Sequence, residues 1–126
     1  MPPKWINGSI LTIERTGAIL VNHLEVAGDS ATRRKGLLGR ECLAPGRAVA
    51  IAPCQGVHTF GMRFAIDIVA VTRDGVVLKI RSSVPRRRIV MALKAFAIIE
   101  LPSGTATTMN LQVGDRLLMS ANAECS

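Results

Sequence analysis

The sequence predicts a mainly β protein of the α+β class: a small antiparallel β-sandwich or open barrel with one or two short helices. Two observations predict this class: six or seven short apolar, β-branched runs recur along the chain, and turn residues separate them. The length of 126 residues fits one domain, since domains usually contain about 100 to 150 residues. No linker or repeat divides the sequence, so we expect one domain over residues 1–126.

The first third of the chain predicts two strands and a helix. An Asn-Gly pair at the start favours a tight hairpin turn, because both residue types tolerate positive φ. The stretch "AILVNHLEVA" has the apolar spacing of a strand. Asp29 and Ser30 are good helix caps, and "ATRRKGLLGR" after them predicts a short helix that ends between Gly36 and Gly39.

The rest of the chain predicts the remaining strands. "RAVAIAP" predicts a buried strand that ends at Pro53, and "IDIVAVT" and "VVLKIRSSV" predict a hairpin around the turn Arg73-Asp74-Gly75. The following "PRRRIVMALKAF" fits neither the helical nor the strand period cleanly, so a connecting loop with a helical turn and a strand both stay open, and we interpret it as a basic connection. "FAIIEL" and "GDRLLMS" predict the last strands, with one helical turn in "TATTMNLQ" between them.

The composition narrows the cellular context. Hydrophobic residues make up 48% of the chain and aromatic residues 3%, so we expect an aliphatic core. The apolar runs are too short to span a membrane, and no signal-peptide cleavage site follows the N-terminus, so we expect a cytoplasmic protein. Cys42, Cys54 and Cys125 are odd in number and lack a C-x-x-C pair. This spacing argues against a disulfide framework and a four-cysteine zinc site, and we expect no metal or cofactor.

A polar cluster precedes the central hairpin. If residues 62–71 form one strand, Arg63 and Asp67 share a side of it and can meet. A guanidinium and a carboxylate beside His58 and Thr59 could bind a small polar ligand, or could position His58 as an acid or base.

We prefer a structural interpretation of Asp67, in which its carboxylate hydrogen-bonds the backbone or pairs with Arg33 or Arg40 of the predicted helix. A ligand would then occupy what remains of the same surface. The leading hypothesis is a non-enzymatic binding or accessory module for a small anionic or polar ligand or for a protein partner. The residues of this candidate ligand-binding patch are Arg33, Arg40, His58, Thr59, Met62, Arg63 and Asp67.

An enzyme is an alternative hypothesis. Cys54 and His58 are four residues apart, which suggests a nucleophile and base or half of a metal site. Pro53 and Gly56 predict a loop there, so helical i,i+4 geometry does not apply. A hydrolase-like enzyme would use Cys54, His58 and Asp67.

The positive charge is unevenly distributed. The net charge is +7, and six of the sixteen basic residues fall between positions 79 and 94, where no acidic residue occurs. This stretch could bind nucleic acid or another anionic surface, although few aromatic residues are available to stack on bases. Alternatively, the charges keep a sheet edge soluble. The candidate nucleic-acid-binding residues are Lys79, Arg81, Arg86, Arg87, Arg88 and Lys94.

Two blocks of sequence have the features of a known family. "TRRKGLLGRECL" is similar to the signature Arg-x-x-Gly-Leu-x-x-Arg-x-x-Leu, and "HTFGMRFAIDIVAVTRDGVV" resembles the central block of the bacterial and archaeal family called domain of unknown function 192. The matching residues of these two blocks are Arg33, Gly36, Leu37, Arg40, Leu43, Phe60, Met62, Arg63, Ile66, Asp67 and Gly75. Further matches follow in the family's order and spacing: Pro85, Glu100, Gly104, Gly114 and Asp115. The resemblance covers about residues 24–117. It implies a compact, β-rich, jelly-roll-like fold and no established activity.

The chain departs from this family at one point of the central block. Many members have Trp-Met-Lys-Asn-Thr where this chain has Phe-Gly-Met-Arg-Phe at positions 60–64. Contacts made by the Asn-Thr pair elsewhere are therefore not expected here. Other members begin with an export signal or a lipid anchor, and the resemblance does not carry a periplasmic role to this chain.

Overall fold

The computed structural model describes residues 5–27 and 42–121 of the chain. These residues form strands connected by turns, with one helical turn near the C-terminus. The strands are β1 (Ser9–Ile13), β2 (Ile19–Ala27), β3 (Arg47–Ile51), β4 (Gly56–His58), β5 (Ile66–Val71), β6 (Val77–Val84), β7 (Ile89–Met91), β8 (Ala97–Pro102) and β9 (Leu117–Ser120), and the helix is α1 (Thr105–Thr108). The helix predicted between residues 31 and 40 lies outside the described residues.

Seven strands form one curled sheet in the order β6-β5-β8-β3-β2-β1-β9, while β4 and β7 pair separately as a two-stranded ribbon. The two edge strands of the large sheet approach each other where Val76 bridges Arg116. The amide of Leu117 also donates to the carbonyl of Gly75 at 2.8 Å. The sheet therefore curls into a half-barrel, which confirms the predicted class of small β-barrel or sandwich.

The central hairpin is formed as predicted and also permits this closure. Strands β5 and β6 are antiparallel, and the turn Arg73-Asp74-Gly75 joins them. Gly75 has φ +90°, and a Cβ on it would lie 2.5 Å from the carbonyl oxygen of Leu117. Glycine thus supplies the turn conformation and also lets β9 approach the turn closely.

The sheet buries apolar residues on both faces. One cluster, the barrel core, lies inside the curl and includes Val21, Ile99 and Ala106 of α1. The other cluster, the ribbon core, lies between the sheet and the ribbon and includes Ile68 and Val90. Strand β5 contributes to both clusters because successive side chains of a strand point to opposite faces. Both cores consist mostly of aliphatic residues, as the composition predicts.

Most of the remaining predicted elements are confirmed. Strands β2, β3, β8 and β9 occupy the apolar runs that predicted them, and the single helical turn α1 lies within "TATTMNLQ". The large sheet is antiparallel, as predicted, except for one pair of strands, because β2 and β3 are parallel. A parallel pair needs a long crossover connection, and the nineteen-residue interval 28–46 supplies one.

Two local predictions were wrong, and the structure decides a third that the sequence left open. The Asn-Gly pair forms a turn before β1 but does not join two strands, since the β1–β2 hairpin turns through residues 14–18. Strand β5 begins at Ile66, so residues 62–65 do not extend it. The segment interpreted as a basic connection contains a three-residue strand, β7, which pairs with β4. A three-residue strand is too short for its period to be recognised in the sequence.

Candidate functional site

The ribbon of β4 and β7 presents one apolar face to the solvent. Val57 and Val90 lie opposite each other and pack against the ribbon core. The alternate residues point away from the sheet, so Ile89 is 67% exposed and Met91 is 49% exposed. Phe60, just after β4, is 46% exposed. We call His58, Phe60, Ile89 and Met91 together the ribbon face.

Contacts among its members hold the ribbon face together. The rings of His58 and Phe60 lie 5.8 Å apart at an interplanar angle of 57°, a tilted aromatic pair. His58 is directly opposite Ile89 in the ribbon, and Gly56 is opposite Met91. A Cβ at Gly56 would collide with the sulfur of Met91, so the glycine leaves room for the methionine to lie across the ribbon.

Residues 85–88, which we call the arginine loop, connect β6 to β7 along one end of the ribbon face. Thr59, which is only 1% exposed, holds both ends of this loop through hydrogen bonds. Its hydroxyl donates to the carbonyl of Pro85 at 2.7 Å and accepts from the amide of Arg88 at 2.9 Å. Its own amide donates to the carbonyl of Arg88 at 2.8 Å. The buried threonine therefore makes the loop a defined structure.

The arginine loop contains a strained residue at its centre. Arg87 has φ +65°, a left-handed conformation that costs a non-glycine residue about 1–2 kcal/mol. The guanidinium of Arg88 turns back and donates to the carbonyls of Arg86 at 3.2 Å and Arg87 at 3.3 Å. Arg88 thus braces the loop, while the exposed Arg86 and Arg87 have no carboxylate within ion-pair distance in the described part of the chain.

The other basic residues of this stretch lie beside the ribbon. The Nζ of Lys79 donates to the carbonyl of Met91 at 2.6 Å, which connects β6 to the end of β7. Arg81 is exposed on β6, and Lys94 is exposed in the turn after β7. Lys79 and the arginine loop, which were predicted from charge alone, therefore lie next to an apolar face that the sequence did not indicate.

Asp67 is fully buried on the opposite face of the large sheet. Its carboxylate accepts from the amides of Ser83 at 2.7 Å, Gly104 at 3.0 Å and Ala106 at 2.8 Å. Ser83 lies where the β5–β6 register shifts, and Gly104 is the N-cap of α1 without a capping side chain. From β5, Asp67 thus accepts hydrogen bonds both from the bulge of β6 and from the amides at the start of α1.

The predicted polar patch is not assembled as one surface among its described members. Asp67 and Met62 are buried, and the hydroxyl of Thr59 is engaged by the arginine loop. His58 and Arg63 are exposed. The expectation that residues 62–71 form one strand, on which Arg63 and Asp67 share a side, was wrong, because β5 starts at Ile66. Arg33 and Arg40 lie outside the described residues, but the predicted backbone contact of Asp67 is observed.

Two of the three residues of the enzyme hypothesis have hydrogen-bond partners within the fold. The thiol of Cys54 donates to the carbonyl of Gly56 at 3.0 Å, and the carboxylate of Asp67 is bound by three amides on the other side of the sheet. No three His, Cys, Asp or Glu side chains in residues 5–27 and 42–121 are placed to hold a metal ion. The same ranges contain no helix with the length and hydrophobicity to cross a bilayer.

The ion pair with a clear electrostatic effect lies away from the ribbon, where β6 and β9 meet. The Nε of Arg15 donates to the Oδ1 of Asp115 at 2.7 Å, and its Nη2 donates to Oδ2 at 3.0 Å. The amide of Gln112 adds a bond at 2.9 Å. The Arg15 guanidinium holds the pKa of the Asp115 carboxyl below its ordinary value, and Asp115 in turn raises the pKa of Arg15.

Comparison with known proteins assigns the chain to a family. The model of the DUF192 family, described as "Uncharacterized ACR", matches residues 11–119, most of the chain. The chain belongs to the DUF192 family. This confirms the resemblance noted in the sequence. None of the curated proteins matches this DUF192 chain in sequence.

Two solved structures have the same fold as this DUF192 chain. A crystal structure from Sinorhizobium meliloti 1021, described as "a putative transcription regulator", has TM-score 0.79 and 19% identity over 93% of this chain and 98% of the other. A protein of unknown function from Novosphingobium aromaticivorans DSM 12444 has TM-score 0.76 and 20% identity over 87% of this chain and 82% of the other. At these identities the similarity establishes the fold alone.

The exposed apolar residues of this DUF192 protein were missed in the sequence. Ile89, Met91 and Leu93 alternate with Val90 and less exposed neighbours, and such alternation is the signal of a strand with one outward face. Three arginines precede them, and their charge is the stronger signal in the sequence. The alternation extends over too few residues for the sequence alone to distinguish it from chance.

Proposed function

We propose that this DUF192 protein is a non-enzymatic binding or accessory module that recognises a protein partner through its ribbon face. The observation that carries the proposal is the exposure of Ile89 and Met91 beside the His58–Phe60 pair, on a ribbon whose other face is fully used in packing. Contiguous exposed apolar residues with a polar rim are typical of protein-interaction sites.

The chemistry of this face favours a partner over a small ligand. A small ligand needs a concave site that encloses most of its surface. Of the predicted ligand patch, Asp67 and Met62 are buried and Thr59 holds the arginine loop, which leaves His58 and Arg63 exposed among the described members. Aromatic residues, methionine and arginine, which compose the ribbon face and its rim, are enriched in protein interfaces.

The test is selection of a random peptide library displayed on phage against the immobilised protein. Wild type should enrich a consensus sequence, and Ile89→Ser with Met91→Ser should lose it without a fall in Tm. Leu118→Ser is the matched control, because Leu118 is an exposed apolar strand residue of β9, at 42% exposure. The proposal fails if no consensus is enriched or if the ribbon variant enriches it as well as the control does.

Nucleic-acid binding is the second candidate function, favoured by the acid-free basic stretch of residues 79–94. One protein of the same fold is described as "a putative transcription regulator", but at 19% identity the similarity supports only the fold. Phosphate contacts would give binding that falls steeply between about 50 and 200 mM salt. Anisotropy with mixed-sequence DNA and RNA tests this: binding that disappears in Arg86→Ser but persists in Ile89→Ser supports it, and absence of binding at low salt excludes it.

A further inference from the structure

We infer that the partner of the ribbon face is an acidic protein segment, and that Arg86 and Arg87 of the arginine loop are the residues that bind its carboxylates. This inference rests on the proposed function and names the chemistry of the partner. It also assigns Thr59 a positioning role in recognition. Three observations lead to it: the construction of the loop, the strain at Arg87, and the combination of charge with apolar surface.

The arginine loop is preformed. The hydroxyl of Thr59 donates to the carbonyl of Pro85 and accepts from the amide of Arg88, and the amide of Thr59 donates to the carbonyl of Arg88, so both ends of the loop are tied to one buried residue. The Arg88 guanidinium closes the loop from outside through the carbonyls of Arg86 and Arg87. A preformed site loses less conformational entropy when it binds, which increases affinity.

The conformation of Arg87 indicates that its side chain has a use. Residue 87 has φ +65°, where glycine would be unstrained. An arginine at this position costs stability, and among residues 5–27 and 42–121 its guanidinium makes no hydrogen bond or ion pair. A strained residue whose side chain makes no hydrogen bond or ion pair inside the fold is a candidate for a functional position.

Charge and apolar surface together select the class of partner. The basic residues of the stretch 79–94 have no acidic neighbour in sequence, so the surface attracts anions. Ile89 and Met91 immediately follow the loop, and burying them is favourable only if the partner brings apolar groups. Bases would offer flat rings for stacking, but only His58 and Phe60 provide aromatic surface on the ribbon face. A segment that combines carboxylates with aliphatic side chains satisfies both requirements.

Arginine suits this role better than lysine would. The guanidinium binds a carboxylate through two parallel hydrogen bonds, which makes the geometry of the loop matter for affinity. Two adjacent arginines at one end of an apolar strip would therefore recognise acidic residues at one end of an apolar segment. The inference predicts a polarity to binding: carboxylates at the loop and aliphatic residues along β7.

The experiment uses a fluorescein-labelled synthetic peptide in which a cluster of glutamates precedes alternating leucines. Its two counterparts replace the glutamates by glutamine or the leucines by serine. Fluorescence anisotropy gives Kd for the full-length protein at low and moderate salt. We expect the acidic peptide to bind, and either replacement to weaken binding by about tenfold or more.

Arg87→Gly is the decisive variant, because it removes the guanidinium and the strain together. We expect its Tm to equal or exceed that of wild type, while affinity for the acidic peptide falls by about tenfold. Loss of binding with unchanged or raised stability does not follow from damage to the fold. Arg116→Ser is the control: Arg116 is an exposed arginine just before β9, so this variant removes the same charge elsewhere and should change affinity by less than about twofold.

Thr59 is tested by Thr59→Val and Thr59→Ser. Valine keeps the volume of threonine but loses the hydroxyl that ties Pro85 and Arg88, so affinity should fall several-fold at a temperature where the variant remains folded. Serine keeps the hydroxyl and should restore most of the affinity. Equal affinity of the valine variant and wild type would remove the positioning role of Thr59.

The outcomes separate this inference from the proposed function. If Arg87→Gly and the glutamine peptide bind like their parents while Ile89→Ser does not bind, the ribbon face takes an uncharged partner and the inference is overturned, but the proposed function stands. If all variants bind the peptide equally, both are overturned. If DNA of the same charge displaces the peptide and its binding ignores Ile89→Ser, the occupant is a nucleic acid and the inference fails.

Discussion

Replacement of Asp67 should cost this fold a large part of its stability, because one carboxylate serves three backbone amides. Its Oδ1 accepts from Ser83 at 2.7 Å and from Gly104 at 3.0 Å, and its Oδ2 accepts from Ala106 at 2.8 Å. Asp67 itself is 0% exposed. Asp67→Ala would therefore leave a bulge of β6 and the start of α1 without their shared acceptor.

The magnitude follows from where each amide lies. The Ala106 amide is buried, and leaving it unsatisfied costs about 2 kcal/mol. The Ser83 and Gly104 amides are part-buried, so water can replace the carboxylate to some extent, and each costs about 1 kcal/mol. The total of about 4 kcal/mol is a large share of the ~5–15 kcal/mol that stabilises a typical domain. It corresponds to a fall in Tm of about 15 °C for a chain of this length.

Asp67→Asn separates the two oxygens of the carboxylate. The amide oxygen can keep the bonds from Ser83 and Gly104, but the NH2 group then faces the donating amide of Ala106. Two donors in contact leave both without an acceptor, so we expect a loss of about 2–3 kcal/mol, smaller than for alanine.

The assay is urea and thermal unfolding followed by the fluorescence of Trp5, the one tryptophan of the chain. Trp5 is partly buried, donates to the carbonyl of Arg73 at 3.3 Å and packs against Phe96 with ring centroids 6.1 Å apart, so unfolding changes its environment. Asp74→Asn is the control, because Asp74 is exposed and asparagine is equally suited to its hairpin turn.

A loss below about 1 kcal/mol for Asp67→Ala would refute this reasoning, since three amides would then be satisfied by other means. An increase in stability would be still more informative. It would mean that the carboxylate is held at a cost, as happens in functional sites, and would return Asp67 to the candidate ligand patch.

Three further predictions concern residues outside this network. Because Arg15 lowers the pKa of Asp115, the folded state gains stability above the ordinary aspartate pKa of about 3.9 and loses it as the pH falls through the lowered pKa. Thermal melts at pH steps from about 5 to about 2 should show a steeper loss of stability for wild type than for Asp115→Asn. Parallel curves of stability against pH would contradict this. Gly75→Ala should lower the free energy of unfolding in urea by about 2–4 kcal/mol, because alanine disfavours positive φ and its Cβ would clash with β9. Gly17→Ala should lower it by about 1 kcal/mol, because Gly17 also has positive φ but has open space around it. Equal losses for the two variants would argue against the close contact of Gly75 with β9. His58→Ala should change stability by less than about 0.5 kcal/mol because His58 is exposed, and a large loss would give it a structural role.

Local chemistry in the sequence was enough to predict most strands. The β5–β6 hairpin depends on β-branched residues and on an Asp-Gly turn, which act within a few residues of one another. The strand β7 was missed because it contains three residues, too few to define a period, and because three arginines precede it. The basic character of the candidate site was therefore predictable, and its apolar centre was not.

The sequence by itself determined the β-rich class, the aliphatic core, the positions of the long strands and the membership of the DUF192 family, because these depend on composition, neighbouring residues and short motifs. The tertiary structure decided the parallel pair of β2 and β3, the closure of the half-barrel and the partners of Asp67, which lie 16, 37 and 39 residues further along the chain. The same holds for Thr59, whose hydroxyl reaches Pro85 across 26 residues. No local rule specifies contacts at such separations, since they exist only once the sheet has curled and the ribbon has packed on it.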